Sequence, residues 1–301
     1  MTSLKRAIPT AVLGAGAGCI AYASIVELRW FRLRRVDMPV LPPEARPLKL
    51  LHISDAHLTP TQLRKVSWMH RLADLEPDLV VNTGDSISHP EAVPAFLYAV
   101  GPLLDLPGVF VFGSNDRYAP QLKNPLRYLS PRSRQPIELR RPESLPYREL
   151  GEAMTKRGWR DVDNAKARLH VGGLDIEVGG VDDSHIRLDR YEEIAGRVDP
   201  SADLHLGVLH SPEPRVLDCF VADGYEALFA GHTHGGQVCV PGYGALVTNC
   251  GIDRARVKGL SRYDGAWLHV SAGLGTSPYA PFRFACPPEA TLVRLVPRTA
   301  P

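Results

Sequence analysis

Short apolar runs alternate with longer amphipathic stretches through the first half of the chain. Leu48–Ile53 and Leu79–Val81 read as strands that end in polar clusters, and Gln62–Leu75 between them repeats its apolar positions at helical spacing. A third strand is predicted over Val109–Phe112, after a second helix over Ala92–Leu104. This β-α-β rhythm predicts an α/β fold, a mixed sheet with crossovers whose strand ends carry the ligand-binding residues. The second half changes character. Leu169–Val171, Ile176–Val178, Leu204–Leu209, Ala227–Ala230, Trp267–Val270 and Thr291–Leu295 read as short strands bounded by turn residues, the makings of a second, β-rich sheet. No internal repeat is visible.

Ahead of these elements, Ala7–Val26 carries no charge and follows Lys5 and Arg6. At 20 residues it has the length of a bilayer span. Gly14, Gly16 and Gly18 lower its hydrophobicity, and Ala21-Tyr22-Ala23 resembles a signal-cleavage site. Arg29, Arg32, Arg34 and Arg35 follow at once. The positive-inside rule then favours a membrane-associated protein with residues 1–35 as anchor and basic flank and with its domain cytoplasmic. Export after signal cleavage is the alternative. Residues 36–47, with Pro39, Pro42, Pro43 and Pro47, read as a linker, and 48–301 as the domain.

Composition narrows the classes. Among 301 residues, 44% are hydrophobic and 23% charged, an ordinary folded mix that excludes disorder and multi-span membrane proteins. Thirty-five Lys and Arg against 33 Asp and Glu leave too little net charge to expect nucleic acid as a partner. Basic charge is concentrated at 121–160, with ten Lys and Arg against four Glu, as a solvated insertion or a surface facing anionic lipid or substrate. Five cysteines without C-x-x-C spacing read as buried free thiols. Eleven histidines are more informative, since several stand beside Asp, Asn and Gly.

Those clusters fall at strand ends. Asp55-Ala56-His57 follows the first strand, Gly84-Asp85 the second and Gly113-Ser114-Asn115-Asp116 the third. His210 ends Leu204–Leu209, and Gly231-His232-Thr233-His234 follows Ala227–Ala230. On an extended chain, residues i and i+2 point the same way, so Asp55 with His57, and His232 with His234, can each reach one ion.

In order and placement these elements resemble the calcineurin-like metallophosphoesterases, whose signature is D-x-H, G-D, G-N-H-(D/E), His and G-H-x-H. The resemblance implies an αββα sandwich, two packed mixed β-sheets flanked by helices, preceded here by an N-terminal hydrophobic helix. It also implies two divalent metal ions, with Asp55, His57 and His234 completing one site, Asn115, His210 and His232 the other, and Asp85 shared between them. Mixed nitrogen and oxygen ligation suits Mn, Fe, Zn or Co. The implied activity is a phosphohydrolase cleaving a phosphodiester or pyrophosphate by in-line attack of a hydroxide held between the ions. A metal-binding scaffold without turnover and a protein phosphatase are the competing readings.

Four of the five elements are intact. In the third, Asp116 replaces the histidine that serves as a proton donor or phosphoryl partner. A carboxylate beside two cations is expected to be an anion and a poor acid. The leaving group then needs little protonation, another side chain substitutes, or catalysis is lost; Arg117, His89 and His185 are the candidate substitutes. Gly235-Gly236-Gln237 and Gly273-Leu274-Gly275-Thr276, with Arg283 as a phosphate fork, read as loops near the site or as tight turns. The hydrophobic N-terminus, G-S-N-D, G-H-T-H-G-G-Q and G-L-G-T together resemble the membrane-associated branch that includes relatives of UDP-2,3-diacylglucosamine pyrophosphatases. The expected partners are therefore a phosphorylated small-molecule or lipid-linked substrate and a membrane surface.

Overall fold

The structure, a computed structural model, describes residues 16–122 and 143–298. The first sheet takes β1 (Arg32–Leu41), β2 (Leu48–Ile53), β3 (Leu79–Asn82), β4 (Gly108–Phe110) and β5 (Arg160–Asp161). The second takes β6 (Ala165–Val171), β7 (Leu174–Val181), β8 (Leu204–Leu209) and β9 (Ala227–Ala230). A small hairpin, β10 (Cys239–Val240) with β11 (Gly244–Ala245), precedes β12 (Gly259–Tyr263) and β13 (Ala266–Val270), which join the second sheet. The last strand, β14 (Glu289–Pro297), returns to the first. The orders are β1-β14-β2-β3-β4-β5 and β12-β13-β9-β8-β7-β6, and both sheets are mixed.

The alternation of side chains explains the layers. In β2, Leu48 and Leu50 face the space between the sheets, where they meet Val81, Val109, Ile176, Val178, Leu206 and Phe229. Leu51 and Ile53 point the other way, toward Val66 and Met69 of α1 (Leu63–His70) and Phe96 of α2 (Val93–Ala99). Burial on both faces is what makes the parallel strands read as apolar runs. The second sheet is backed by Val216, Leu217 and Phe220 of α5 (Pro214–Asp223), which pack on Leu209, Leu228 and Leu268. Two more helices, α3 (Ser114–Arg117) and α4 (Tyr147–Lys156), lie between β4 and β5.

Two sequence expectations change here. Thr291–Leu295 belongs to the first sheet, where β14 runs antiparallel to β2 and parallel to β1. Residues 32–41, expected as basic flank and linker, form the edge strand β1. Pro39 is tolerated because an edge strand has one unpaired side, and the register shifts between Pro39 and Leu41.

The membrane anchor is not upheld. Residues 1–15, the first part of the apolar run, lie outside the described residues, and among the described residues no helix is long and apolar enough to cross a membrane. Residues 16–29 are helical and tied to the domain instead. Ala23 is buried and its carbonyl accepts from Arg283 N (3.1 Å). The buried Glu27 carboxylate accepts from the backbone of Ala285 and Cys286. Membrane association, with the membrane surface as a partner and the cytoplasmic placement derived from it, loses its basis. Most of the basic 121–160 segment, residues 123–142, lies outside the described residues. Of the cysteines, Cys239, Cys250 and Cys286 are buried as expected, whereas Cys19 is exposed and Cys219 half-buried; none of the five forms a disulfide.

Candidate metal centre

Each expected ligand leaves the C-terminal end of a strand: Asp55 and His57 after β2, Asp85 after β3, Asn115 after β4, His210 after β8, and His232 and His234 after β9. The structure brings them together between the sheets. Asp55, His57 and His234 form one group whose ligand atoms lie within 4.8 Å of one another, and Asp55, Asp85 and His210 form a second. Asp85 Oδ2 stands 3.5 Å from both His57 Nε2 and His210 Nε2. Its carboxylate accepts from the backbone N and the side-chain Nδ2 of Asn115, both at 2.7 Å.

The pairs at i and i+2 converge by a different route from the one expected. Asp55, His57, Asp85, His232 and His234 all have left-handed backbone, with φ of 50°, 44°, 53°, 68° and 50°. Such angles cost free energy in non-glycine residues and persist where surrounding contacts impose them. Here the contacts are hydrogen bonds between loops: Asp55 N donates to Gly84 O (2.8 Å), His57 N to Asp85 O (2.9 Å), and Gly231 N to His210 O (2.8 Å).

The histidines are oriented by their outward nitrogens. Nδ1 of His210 donates to Thr83 O (2.7 Å), Nδ1 of His234 to Gly275 O (3.0 Å), and Nε2 of His232 to Asn249 O (3.1 Å). His57 Nδ1 meets Ser88 Oγ at 2.9 Å. The inner nitrogens crowd together, His57 Nε2 at 3.1 Å from His234 Nε2 and His232 Nδ1 at 3.3 Å from His210 Nε2. In metal sites a histidine is fixed in this way by a carbonyl or hydroxyl on one nitrogen while the other binds the ion. Ring nitrogens crowded together beside two carboxylates make a donor set that suits cations, so the residues present fit divalent metals.

Electrostatics among these side chains follow burial. Burial, helped by like charge from neighbouring histidines, holds His232 and His234 well below the usual imidazole range. Burial also opposes charge on His210, but the Asp85, Asp183 and Asp55 carboxylates outweigh it and raise that group to about 10. Burial, opposed by the charge of His210 and reinforced by Asp85, pushes Asp55 up to about 6.

Residues 48–236 match the family described as calcineurin-like phosphoesterase. The chain belongs to that family. It is 25% identical over 307 residues to the phosphodiesterase YaeI of Escherichia coli K12, a match spanning 98% of this chain and 100% of that protein. It is also 25% identical over 302 residues to the uncharacterized metallophosphoesterase YkuE of Bacillus subtilis 168, spanning 96% and 93%. TT1561 of Thermus thermophilus aligns over 76% of this chain and 91% of its own, with 11% identity and a TM-score of 0.42. This calcineurin-like phosphoesterase is a phosphoric ester hydrolase, of a family that normally uses two divalent metals.

The residues expected to stand in for the missing histidine are placed otherwise. Asp116 is fully buried, and its carboxylate accepts from Ser86 N (2.7 Å), Ile87 N (3.2 Å) and Gly113 N (3.0 Å). It ties two ligand loops together and turns its oxygens to backbone. Burial first, then the Asp85 charge, raises it to about 7 against those hydrogen bonds. Arg117 donates to Asp163 (2.7 Å) and Asp182 (2.6 Å) and lies over the Tyr147 ring. His89 caps the turn at Pro90–Ala92 by accepting from Glu91 N. Only His185 reaches the ligands: its ring centroid is 4.3 Å from that of His232, and its Nε2 is buried with no hydrogen-bond partner among the described residues.

Arg283 is not a phosphate fork. It is fully buried and donates to the carbonyls of Ala272, Gly273, Gly275 and Cys286. One of these, Gly275 O, also orients His234. Ser88, Thr83 and Asn249 complete the set of residues that aim the histidines. Nothing in their sequence neighbourhoods marks them, because the role falls to a hydroxyl in one case and to backbone carbonyls in the others.

Proposed function

We propose that Asp55, His57 and His234 hold one divalent ion and Asn115, His210 and His232 the other, with Asp85 shared. The reading is supported by Asp85 Oδ2 lying equally far from one histidine of each set. Asn115 donates its Nδ2 to Asp85, which leaves its Oδ1 as the binding atom. When bound, the two ions supply Lewis-acid activation of a water and neutralise the phosphate oxygens. The chain's own part is to hold the ligands: the carbonyl bonds turn Nε2 of His210 and His234 and Nδ1 of His232 inward, and the loop bonds fix their spacing.

The preferred substrate is a phosphodiester or pyrophosphate with a nucleotide- or lipid-linked part, as in UDP-2,3-diacylglucosamine. The inward turn of Asp116 carries this reading. With that carboxylate engaged by three backbone N–H groups, nothing at the third element is aimed to protonate a departing alkoxide. Leaving groups that depart as stable anions are then favoured over alkyl monoesters. Tyr279 and Phe282, exposed on the segment that leads into Arg283, offer apolar surface for an amphipathic substrate.

The test is kcat/KM with Mn for bis(p-nitrophenyl) phosphate, a nucleotide-diphospho-lipid, glycerol phosphate and a phosphoserine peptide. The first two should be turned over faster. Preference for the phosphoserine peptide overturns the substrate class and makes the enzyme a protein phosphatase.

A further inference from the structure

A continuous row of hydrogen bonds leads from Asp55 into the layer between the sheets. Ser54 Oγ donates to Asp55 Oδ2 (2.5 Å), and Thr83 Oγ1 donates to Ser54 Oγ (2.7 Å). His52 Nε2 lies 3.0 Å from Thr83 Oγ1, and His52 Nδ1 lies 2.8 Å from His269 Nδ1. Ser54, Thr83, His52 and His269 are all buried, and His52 packs edge-on against Phe229 of the apolar core.

The donors in this row can be assigned by elimination. An ionised Asp55 only accepts, so the Ser54 hydroxyl must donate to it. Ser54 has then used its proton and accepts from Thr83, which in turn accepts from His52 Nε2–H. A neutral His52 protonated on Nε2 accepts at Nδ1, so His269 must carry its proton on Nδ1. Every bond then points toward Asp55. Burial, reinforced by the neighbouring His269, holds His52 well below the usual imidazole range, and burial with the Arg34 charge lowers His269 to about 3. Both rings are neutral, as the assignment requires. The row ends at His269 Nε2, which is buried without a partner among the described residues, so it is a dead end and not a path for protons to solvent.

We propose that Ser54, Thr83, His52 and His269 are positioning residues that fix the Asp55 carboxylate for metal binding. Ser54 holds Oδ2, the His232 N–H reaches both oxygens (3.1 and 3.0 Å), and Oδ1 faces His234, whose Nε2 is 3.5 Å away. Space for the row is made by Gly231, whose Cβ, if present, would stand 1.9 Å from Ser54 Oγ and 2.6 Å from Asp55 Oδ2. This inference rests on Asp55 being a metal ligand, as argued above.

Two measurements on the full chain test it. Long-range 1H–15N spectra of 15N-histidine-labelled, metal-free protein should show His52 protonated on Nε2 and His269 on Nδ1. Mn titration should show Thr83→Val weakening one of two ions by about 10-fold or more, the scale of losing an outer partner of a ligand. Thr83→Ser, which restores the hydroxyl, should bind within about twofold of wild type, far from the 10- to 100-fold loss of a missing partner. The Thr83 carbonyl that orients His210 is untouched in both variants. A His52 proton on Nδ1, or a Thr83→Val protein that is less stable yet binds both ions as wild type does, overturns the proposal. If wild-type protein takes up no Mn while the tautomers are as assigned, the ligand assignment of Asp55 fails and the row is structural only.

Discussion

Replacing Gly113 by alanine should damage the metal centre while leaving the fold in place. Gly113 has φ −109° and ψ 175°, an extended conformation open to any residue, so the backbone does not object to a side chain. Space does. A Cβ built there falls 2.2 Å from Asp85 Oδ1 and 2.7 Å from His210 Cε1, whereas real Cβ contacts do not come below 3.0 Å. The Asp85 carboxylate cannot simply swing aside, because its two oxygens are held by Asn115 N and Nδ2. Relief therefore moves Asp85 and His210 by about 1 Å, a misplacement of the size that costs on the order of 10²-fold in rate. Overpacking itself costs about 1–3 kcal/mol. The assay pairs elemental analysis after dialysis against Mn with kcat/KM on bis(p-nitrophenyl) phosphate and a thermal melt. Folded protein with weakened metal binding and a rate reduced about 100-fold is expected. Gly113→Ala protein that keeps two ions and the wild-type rate would refute the argument that Asp85 and His210 are held against this glycine.

Two further outcomes follow from the same contacts. Asp85→Asn should lose both ions by elemental analysis, since an amide nitrogen would face the Asn115 Nδ2 donor and cannot bind metal; retention of two ions refutes the shared-ligand assignment. Glu27→Ala should lower stability by about 1–3 kcal/mol in denaturant melts, because it strips the partners from two backbone N–H groups that the buried carboxylate now serves. An unchanged midpoint would mean that residues 16–29 do not hold the Ala285–Cys286 turn.

The parts of this fold that could be read from sequence share one property, that burial on both faces writes itself as an apolar run. Leu204–Leu209 and Ala227–Ala230 emerge with the bounds expected of them, and their polar ends mark where ligands sit. Strand β1 lacks that mark. It starts at Arg32, carries Arg34 and Arg35, and contains Pro39, features that an edge strand tolerates and a central one does not. Which sheet Thr291–Leu295 joins was hidden for another reason, because a strand's own pattern does not name its neighbour. At the centre, residue types announced the ligands but not the direction in which a side chain turns. Asp116, Arg117 and Arg283 have the chemistry of phosphate or proton handling, and all three instead satisfy backbone groups or buried carboxylates.

Those inward-turned residues bear on how the centre can exist before any ion arrives. Left-handed backbone at five residues carries a cost on the order of 1–3 kcal/mol each, too much to be sustained by the local chain alone. The loops sustain it collectively. Beyond the last residues of β2 and β3, backbone pairing continues through Asp55 N to Gly84 O and His57 N to Asp85 O, and Asp116 then joins the β3 loop to the β4 loop through Ser86, Ile87 and Gly113. On the other side Gly275 N donates to Asp55 O, and Arg283 gathers the carbonyls of the same segment. Each ligand loop is thus held by its neighbours. A carboxylate or guanidinium devoted to this task is not free for chemistry, and that is the ground on which we propose a leaving group that can depart unprotonated.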